Sequence, residues 1–416
     1  LGLAEMMNFP GLLHGDQEVL QKLFTFQEMK RDGHCPSLSG KDLNAYGVAG
    51  IHSCHESTTH DEAIEKLRKG IHVLIREGSC AKDADALLPL LNSYTSAVLG
   101  LCSDDRNPLD IADEGHIDFI ISKALRAGHE APAVFRAASF AAARAYGLED
   151  RGVIAPGFIA DFCLVKPTTG NDWKSGCLVK EVYKRGKKVD REVLRTVALG
   201  RREKQRKKNL FLDQATLATF KINATKSAAK QDVRVIGVIP NQIVTNELRE
   251  SLAILNGEFK QDIKRDILKI AVLERHHHTN SKSTAFVNGF TLLEGAIATS
   301  VNHDCHNVIV VGVTDEAMML AVNRLIEIDG GIVVADGKGQ VIDLPLEIGG
   351  LMTEIEPQEI AEKLRLLKKK TKQMGCTLAE PFLTLSFLAL PVIPALKITD
   401  KGLVDVKSFK LVSVAQ

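Results

Sequence analysis

Three short segments decide how this chain is read: Asp32-Gly33-His34, Ser53-Cys54-His55-Glu56 and Cys102-Ser103-Asp104-Asp105-Arg106. Each follows a short apolar or mixed run, and each is followed by a segment with helical spacing. That rhythm predicts parallel strands whose polar tips gather at one end of the sheet, where such folds keep their chemistry. Between the second and third segments, Ile71-His72-Val73-Leu74-Ile75 has the strongest strand character.

Outward from that stretch, the run Leu1 to Ala4 reads as a strand ending at Glu5, a carboxylate that by itself fits solvation or a helix cap. Helical spacing over 15–30 starts at Asp16, a good N-cap residue. A strand over 30–34 has to be built from Lys30, Arg31 and Asp32, which are poor material for a buried strand. A short helix from Ser39 to Tyr46, a clear one led by Thr59 and closed at Gly70, and helices at 83–91, 112–127 and 131–146 complete the alternation. Both a (β/α)8 barrel and a doubly wound sheet alternate in this way.

After Gly147 the pattern turns to β. A turn and strand over 152–165 are followed by a hairpin of 179–183 and 187–189 around Arg185-Gly186. The basic run over 184–208 lacks interleaved aromatics for base stacking, so it reads as a solvated linker and not as a nucleic-acid patch. From Val233 onward, apolar strands at 233–239, 268–273, 307–313 and 332–335, a helix at 315–328 and a basic amphipathic helix at 356–374 predict a further α/β domain.

The totals bound the function classes. The chain has 416 residues and a formal net charge of +1, with 45% hydrophobic and 25% charged residues. This is ordinary soluble composition, with no electrostatic pull toward nucleic acid, membrane or an acidic partner. Eight scattered cysteines without a C-x-x-C pair predict a reduced, cytoplasmic chain. No apolar run approaches the roughly 20 residues that a membrane span needs. Phosphate-cradling glycine motifs and a G-x-S-x-G nucleophile elbow are absent, so nucleotide-cofactor binding is not expected.

Hydrolysis at neutral pH needs a metal to depress the pKa of water and a carboxylate to take the proton. His34, His55 and Asp104 are ligand types for zinc, manganese or iron. Taken singly, each fits a structural role better; on successive strand ends they make a ligand set. Asp104-Asp105 is a close carboxylate pair of the kind that raises one pKa for proton transfer. Glu56 beside His55 reads either as a proton donor or as a salt-bridge partner. In a second cluster, the adjacent His276-His277-His278 cannot all face one metal along a strand, while His303 and His306 could meet on a turn, with a structural or a site-closing role.

These residues sit in motifs that resemble the adenine deaminases of the amidohydrolase superfamily along nearly the whole chain: LGLAEMMNFPG, DGHCPSLSGKDLNAY, HESTTHDEAIEKLRKGI, IREGS, CSDDRNP, APGFIADF, GAIATSVNHDCHNVIVVG and SFLALPVIPALKITDKGLVDV. The resemblance implies hydrolysis of adenine to hypoxanthine and ammonia at a centre of two divalent metals, manganese or iron, in a cytoplasmic homodimer that binds neither nucleic acid nor membrane. It implies an α/β architecture: the second half of a (β/α)8 barrel at 1–148, a small β unit at 149–192, a basic linker at 193–230 and a C-terminal α/β domain at 231–416. It also implies metal ligation by Glu5, His34, His55 and Asp104, with Asp104, Glu56 and Asp105 in proton transfer or adenine contact. Three departures bear on activity. Cys54 stands where the family shows Asp, Lys30-Arg31 replace apolar residues, and the family's His-x-His strand is missing. The chain opens at Leu1 inside a strand, so an upstream segment carrying that pair is expected. The alternative is a truncated or degenerate, non-catalytic relative that serves as a binding or oligomerisation unit.

Overall fold

The computed structural model describes residues 2–190, 208–225 and 227–416, which form two compact units. The first comprises Leu1–Asn107 and Asp113–Glu203; the second comprises Pro108–Ala112 and Lys204–Gln416. Most of the basic run read as a linker, residues 191–207, lies outside the described residues.

In the first unit, β1 (Gly2–Met6) pairs in parallel with β2 (Lys30–Gly33), while β3 (Ser53–Cys54), β4 (His72–Arg76) and β5 (Leu99–Cys102) form a parallel three-stranded sheet in that order. Val73, Leu74 and Ile75 are all buried, which is why β4 reads as a continuous apolar run: it is central and covered on both faces. Glu5 lies inside β1 and not at its end. The unpromising strand at Lys30–Gly33 forms nonetheless. Tyr46 ties β1 to it, donating to the Met6 carbonyl at 2.9 Å and accepting the His34 N–H at 2.8 Å. Gly33 is needed for this close approach, because a Cβ there would meet the Ser53 carbonyl oxygen at 2.3 Å.

Two helices differ from what their apolar spacing predicts. The segment over 15–30 is helical only at Gln17–Thr25, where the Asp16 carboxylate accepts the N–H groups of Glu18 and Val19. The helix expected over 112–127 is two, Pro108–Asp113 and Ile117–Arg126, separated around Gly115 at φ +110°. The β unit contains the antiparallel strands β6 (Phe162–Pro167), β7 (Cys177–Lys184) and β8 (Lys187–Lys188), with the turn at Arg185-Gly186.

The second unit departs most from expectation. A nine-stranded sheet runs β11-β10-β9-β13-β12-β15-β14-β16-β17. Its strands are β9 (Lys230–Val238), β10 (Thr245–Leu255), β11 (Glu258–Phe259), β12 (Leu268–Leu273), β13 (Lys282–Asn288), β14 (Ala296–Thr299), β15 (Val308–Gly312), β16 (Gly331–Ala335) and β17 (Val341–Pro345). Only β9 and β13 pair in parallel; the other pairs are antiparallel. The domain is therefore α+β in character and not an alternating α/β unit, with helices Asp315–Glu327 and Pro357–Gln373 packed on the sheet. A meander of β18 (Leu396–Thr399), β19 (Gly402–Asp405) and β20 (Lys410–Val412) follows. Leu210, Leu212 and Phe220, inside the stretch read as linker, are buried in this unit's core. Among the described residues, no helix is long and apolar enough to cross a membrane.

Candidate metal centre

The tips of β1 to β5 bring five of the six sequence-predicted residues together. Oε1 of Glu5 lies 3.1 Å from Nδ1 of His34 and 2.9 Å from Nε2 of His55. Oε1 of Glu56 lies 3.5 Å from Nδ1 of His34 and 3.4 Å from Nε2 of His55, and Oδ2 of Asp104 is 3.8 Å from the same His55 nitrogen. Two metal-capable groups result among the described residues, Glu5–His34–His55 and His55–Glu56–Asp104. Asp105 belongs to neither; its main-chain carbonyl accepts the Ser79 N–H at 2.9 Å. The backbone accounts for this, since Asp104 adopts φ +51° and neighbouring side chains diverge across such a turn.

The donor set suits a divalent ion. Metal–ligand bonds of about 2.1 Å set adjacent donors of one ion about 3 Å apart, the separation seen around Glu5. The charge balance agrees. Burial alone would lower the His55 pKa, but the Glu5 hydrogen bond and the charges of Glu56 and Asp104 raise it to about 10. The proton thus held stands where a cation is wanted. Burial would raise the Glu5 carboxyl, yet hydrogen bonds from His34 and His55 hold it well below the usual range. Asp104 moves the other way: burial raises it, and the charge of Asp105 adds to this against the pull of His55 and Arg76.

Arg76, the last residue of β4, was not singled out by sequence reasoning. Its guanidinium is buried and bonds Glu56 through Nη1, which also lies 3.2 Å from Oδ2 of Asp104. Nε and Nη2 donate to Oδ2 of Asp83 at 3.0 and 2.8 Å. Burial would raise the Glu56 carboxyl, but Arg76, His34 and His55 hold it below its ordinary value. Oε2 of Glu56 and Nε2 of His34 are buried and meet no hydrogen-bond partner among the described residues. The available signal was an arginine ending the most apolar strand of the region, where a charge is costly unless paired.

Behind this cluster, Nζ of the fully buried Lys66 donates to the Cys35 carbonyl at 2.9 Å and lies 3.3 Å from the Cys54 sulfur. It also reaches Glu62 at 2.7 Å and Ser57 at 3.1 Å. Lys66 thereby braces the residues next to His34 and His55. The second histidine cluster makes no such group among the described residues. His276 bonds the Cys305 carbonyl, His278 bonds Asp213, and His303 stacks on Phe387.

Residues 17–189 match the Amidohydrolase family, and residues 242–410 match the adenine deaminase C-terminal domain. Over 417 residues the chain is 45% identical to the adenine deaminases of Brucella anthropi and Brucella suis. The alignments cover 99% of this chain, 71% of the first relative and 69% of the second. It is 46% identical over 420 residues to adenine deaminase 1 of Rhizobium meliloti, covering 71% of that protein.

Proposed function

Because this chain belongs to the adenine deaminase family of amidohydrolases, we propose that its strand-end cluster carries out hydrolytic deamination of adenine, giving hypoxanthine and ammonia. The observation that carries this reading is the convergence of Nδ1 of His34, Nε2 of His55 and Oε1 of Glu5 within 3.1 Å contacts. We read β1 to β5 as consecutive strands of a (β/α)8 barrel over 1–148, followed by the small β unit at 149–192 and the C-terminal domain at 231–416. Parallel pairing and the Amidohydrolase match support that reading.

Glu5, His34 and His55 would hold a divalent ion, manganese or iron, with Asp104 as a further donor through the group it shares with His55. When bound, such an ion supplies Lewis-acid activation of water. The chain's own residues manage the protons. Water adds to the amino-bearing ring carbon; one of its protons ends on the ring nitrogen and the other leaves with ammonia. Asp104, raised by burial, is suited to accept from water at neutral pH. Glu56 is ionised at rest, so it acts as an acid only after taking a proton, and its unpartnered Oε2 is the oxygen available for that exchange. Asp105 reaches substrate in this scheme only from outside the ligand groups. The eight free cysteines accord with a reducing, cytoplasmic setting.

Ammonia release from adenine by the manganese- or iron-loaded chain tests the proposal. Turnover is expected, and His55→Ala should lower it by about 10³-fold or more while removing bound metal. No ammonia from the intact full-length gene product at any metal loading would refute the reading.

A further inference from the structure

Arg76 ends β4 directly opposite Cys102 of β5, two residues before Asp104, while β3 on the other side leads into Glu56. The guanidinium is thereby set between two carboxylates that come from different strands. Its far edge is locked: Nε and Nη2 both donate to Asp83, and the Asp83 N–H returns to the Arg76 carbonyl at 3.0 Å. A Glu77–Lys82 bridge and the Gly78 N–H on the Ala81 carbonyl close the intervening loop. The near edge holds Oε1 of Glu56 and Oδ2 of Asp104. Every described contact to the Glu56 carboxylate falls on Oε1; Oε2 has none.

We infer that Arg76, anchored by Asp83, is a positioning residue that fixes which oxygens of Glu56 and Asp104 face the reacting adenine. A carboxylate rotating about its terminal torsion exchanges its two oxygens, and such torsions are broad and soft. With its other donors pinned on Asp83, the planar guanidinium holds Nη1 at one point and direction against Oε1 of Glu56 and Oδ2 of Asp104 and so restrains that rotation, whereas an ammonium acts as a point charge. Asp83 does for Arg76 what Arg76 does for Glu56, so the chain of restraint runs from the loop after β4 to the site. This inference rests on the deaminase reading above.

The test compares Arg76→Ala, Arg76→Lys and Asp83→Asn with the unaltered full chain, all loaded with manganese. Displacing a proton-transfer group by about 1 Å costs on the order of 100-fold, so Arg76→Ala should lose about that in kcat with KM within about threefold. Manganese per chain should stay unchanged, and added guanidinium ion should restore kcat by about tenfold. Arg76→Lys and Asp83→Asn should show smaller losses with the same kcat-only pattern. A crystal structure of Arg76→Lys should show the Glu56 carboxylate in more than one orientation. If Arg76→Ala does not fold, the other two variants decide. Unchanged kcat, or a loss that merely tracks lost metal, overturns the inference. If the intact full-length gene product releases no ammonia, the deaminase reading falls on that result alone. The Glu56 orientation in Arg76→Lys then decides the positioning role: a single, unshifted orientation overturns it.

Discussion

Both units bury cations: in the second, Lys269 meets the Asp315 carboxylate at 2.7 Å, while two others meet main-chain carbonyls. In the second unit, Nζ of the fully buried Lys397 donates to the carbonyls of Ile243 and Phe387 at 2.6 and 3.0 Å. Arg275 likewise reaches the main-chain carbonyls of Asn209 and Gly349. These cations pin loops, and the sheet beside them is apolar: every residue of β15 and β16 is buried. In the first unit, Arg76 meets the side chains of Glu56, Asp83 and Asp104, and Lys66 meets a thiol, a hydroxyl and a carboxylate. Buried ion clusters contribute less stability than apolar packing of the same volume. A buried ion cluster at strand ends is a functional-site candidate. What separates a clamp from a site is a cation's contact with the metal-capable side chains or their neighbours, as Arg76 has with Glu56 and Asp104 and Lys66 with Cys54.

The largest test of this contrast is Lys66→Met. Removing one partner of a buried ion pair costs about 3–5 kcal/mol, and here it also loosens the residues beside His34 and His55. Urea unfolding should show the loss, and manganese should bind more weakly to the fraction that folds. If metal affinity were untouched, Lys66 would belong with the clamps. Lys397→Met strands two buried carbonyls, each worth about 1 kcal/mol. It should destabilise the chain and leave manganese binding and kcat as they were, and any change in turnover per bound metal would blur the distinction.

The smallest effect is a dependence on pH, and its sign follows from His55 and Glu5. His55 is raised from 6.5 to about 10 in the ion-free protein. Its contribution to stability is therefore complete below pH 6.5 and is lost as pH climbs toward 10. Glu5 is held low, so its contribution is present above its ordinary 4.5 and is lost in acid. With a chelator present, the melting temperature should fall between pH 7 and pH 10. With manganese the fall should vanish, because the ion replaces the His55 proton, and apparent metal affinity should rise over the same interval. Equal slopes with and without metal would remove His55 from the ligand set.

Much of the first unit was legible because its signals are local. A strand, a polar tip and a capped helix follow one another within a few tens of residues, so His34, His55, Glu56 and Asp104 stood out by position. Arg76 and Asp83 did not, since an arginine at a strand end and an aspartate in a loop read as solvated until the fold joins them to Glu56, which is 20 residues from Arg76 in sequence. The second unit was misread for a related reason. β10, Thr245–Leu255, is mostly polar up to Ser251 and largely exposed, and its pairing with β9 across a turn is antiparallel. Hydrophobic runs reveal covered central strands far better than edge-proximal ones. The expected alternation with helices therefore missed much of the sheet.

The left-handed backbone at Asp104, φ +51°, places that carboxylate under a competing selection pressure. A side chain with a Cβ in that region costs about 1 kcal/mol relative to glycine, even though aspartate tolerates it better than most. Drift toward a firmer fold would thus favour glycine at this position and would take away the carboxylate read as the proton acceptor. If Asp104 is the proton acceptor proposed above, catalytic competence and thermal hardiness pull this one position in opposite directions, and a stabilised descendant that carries Asp104→Gly should have lost its turnover.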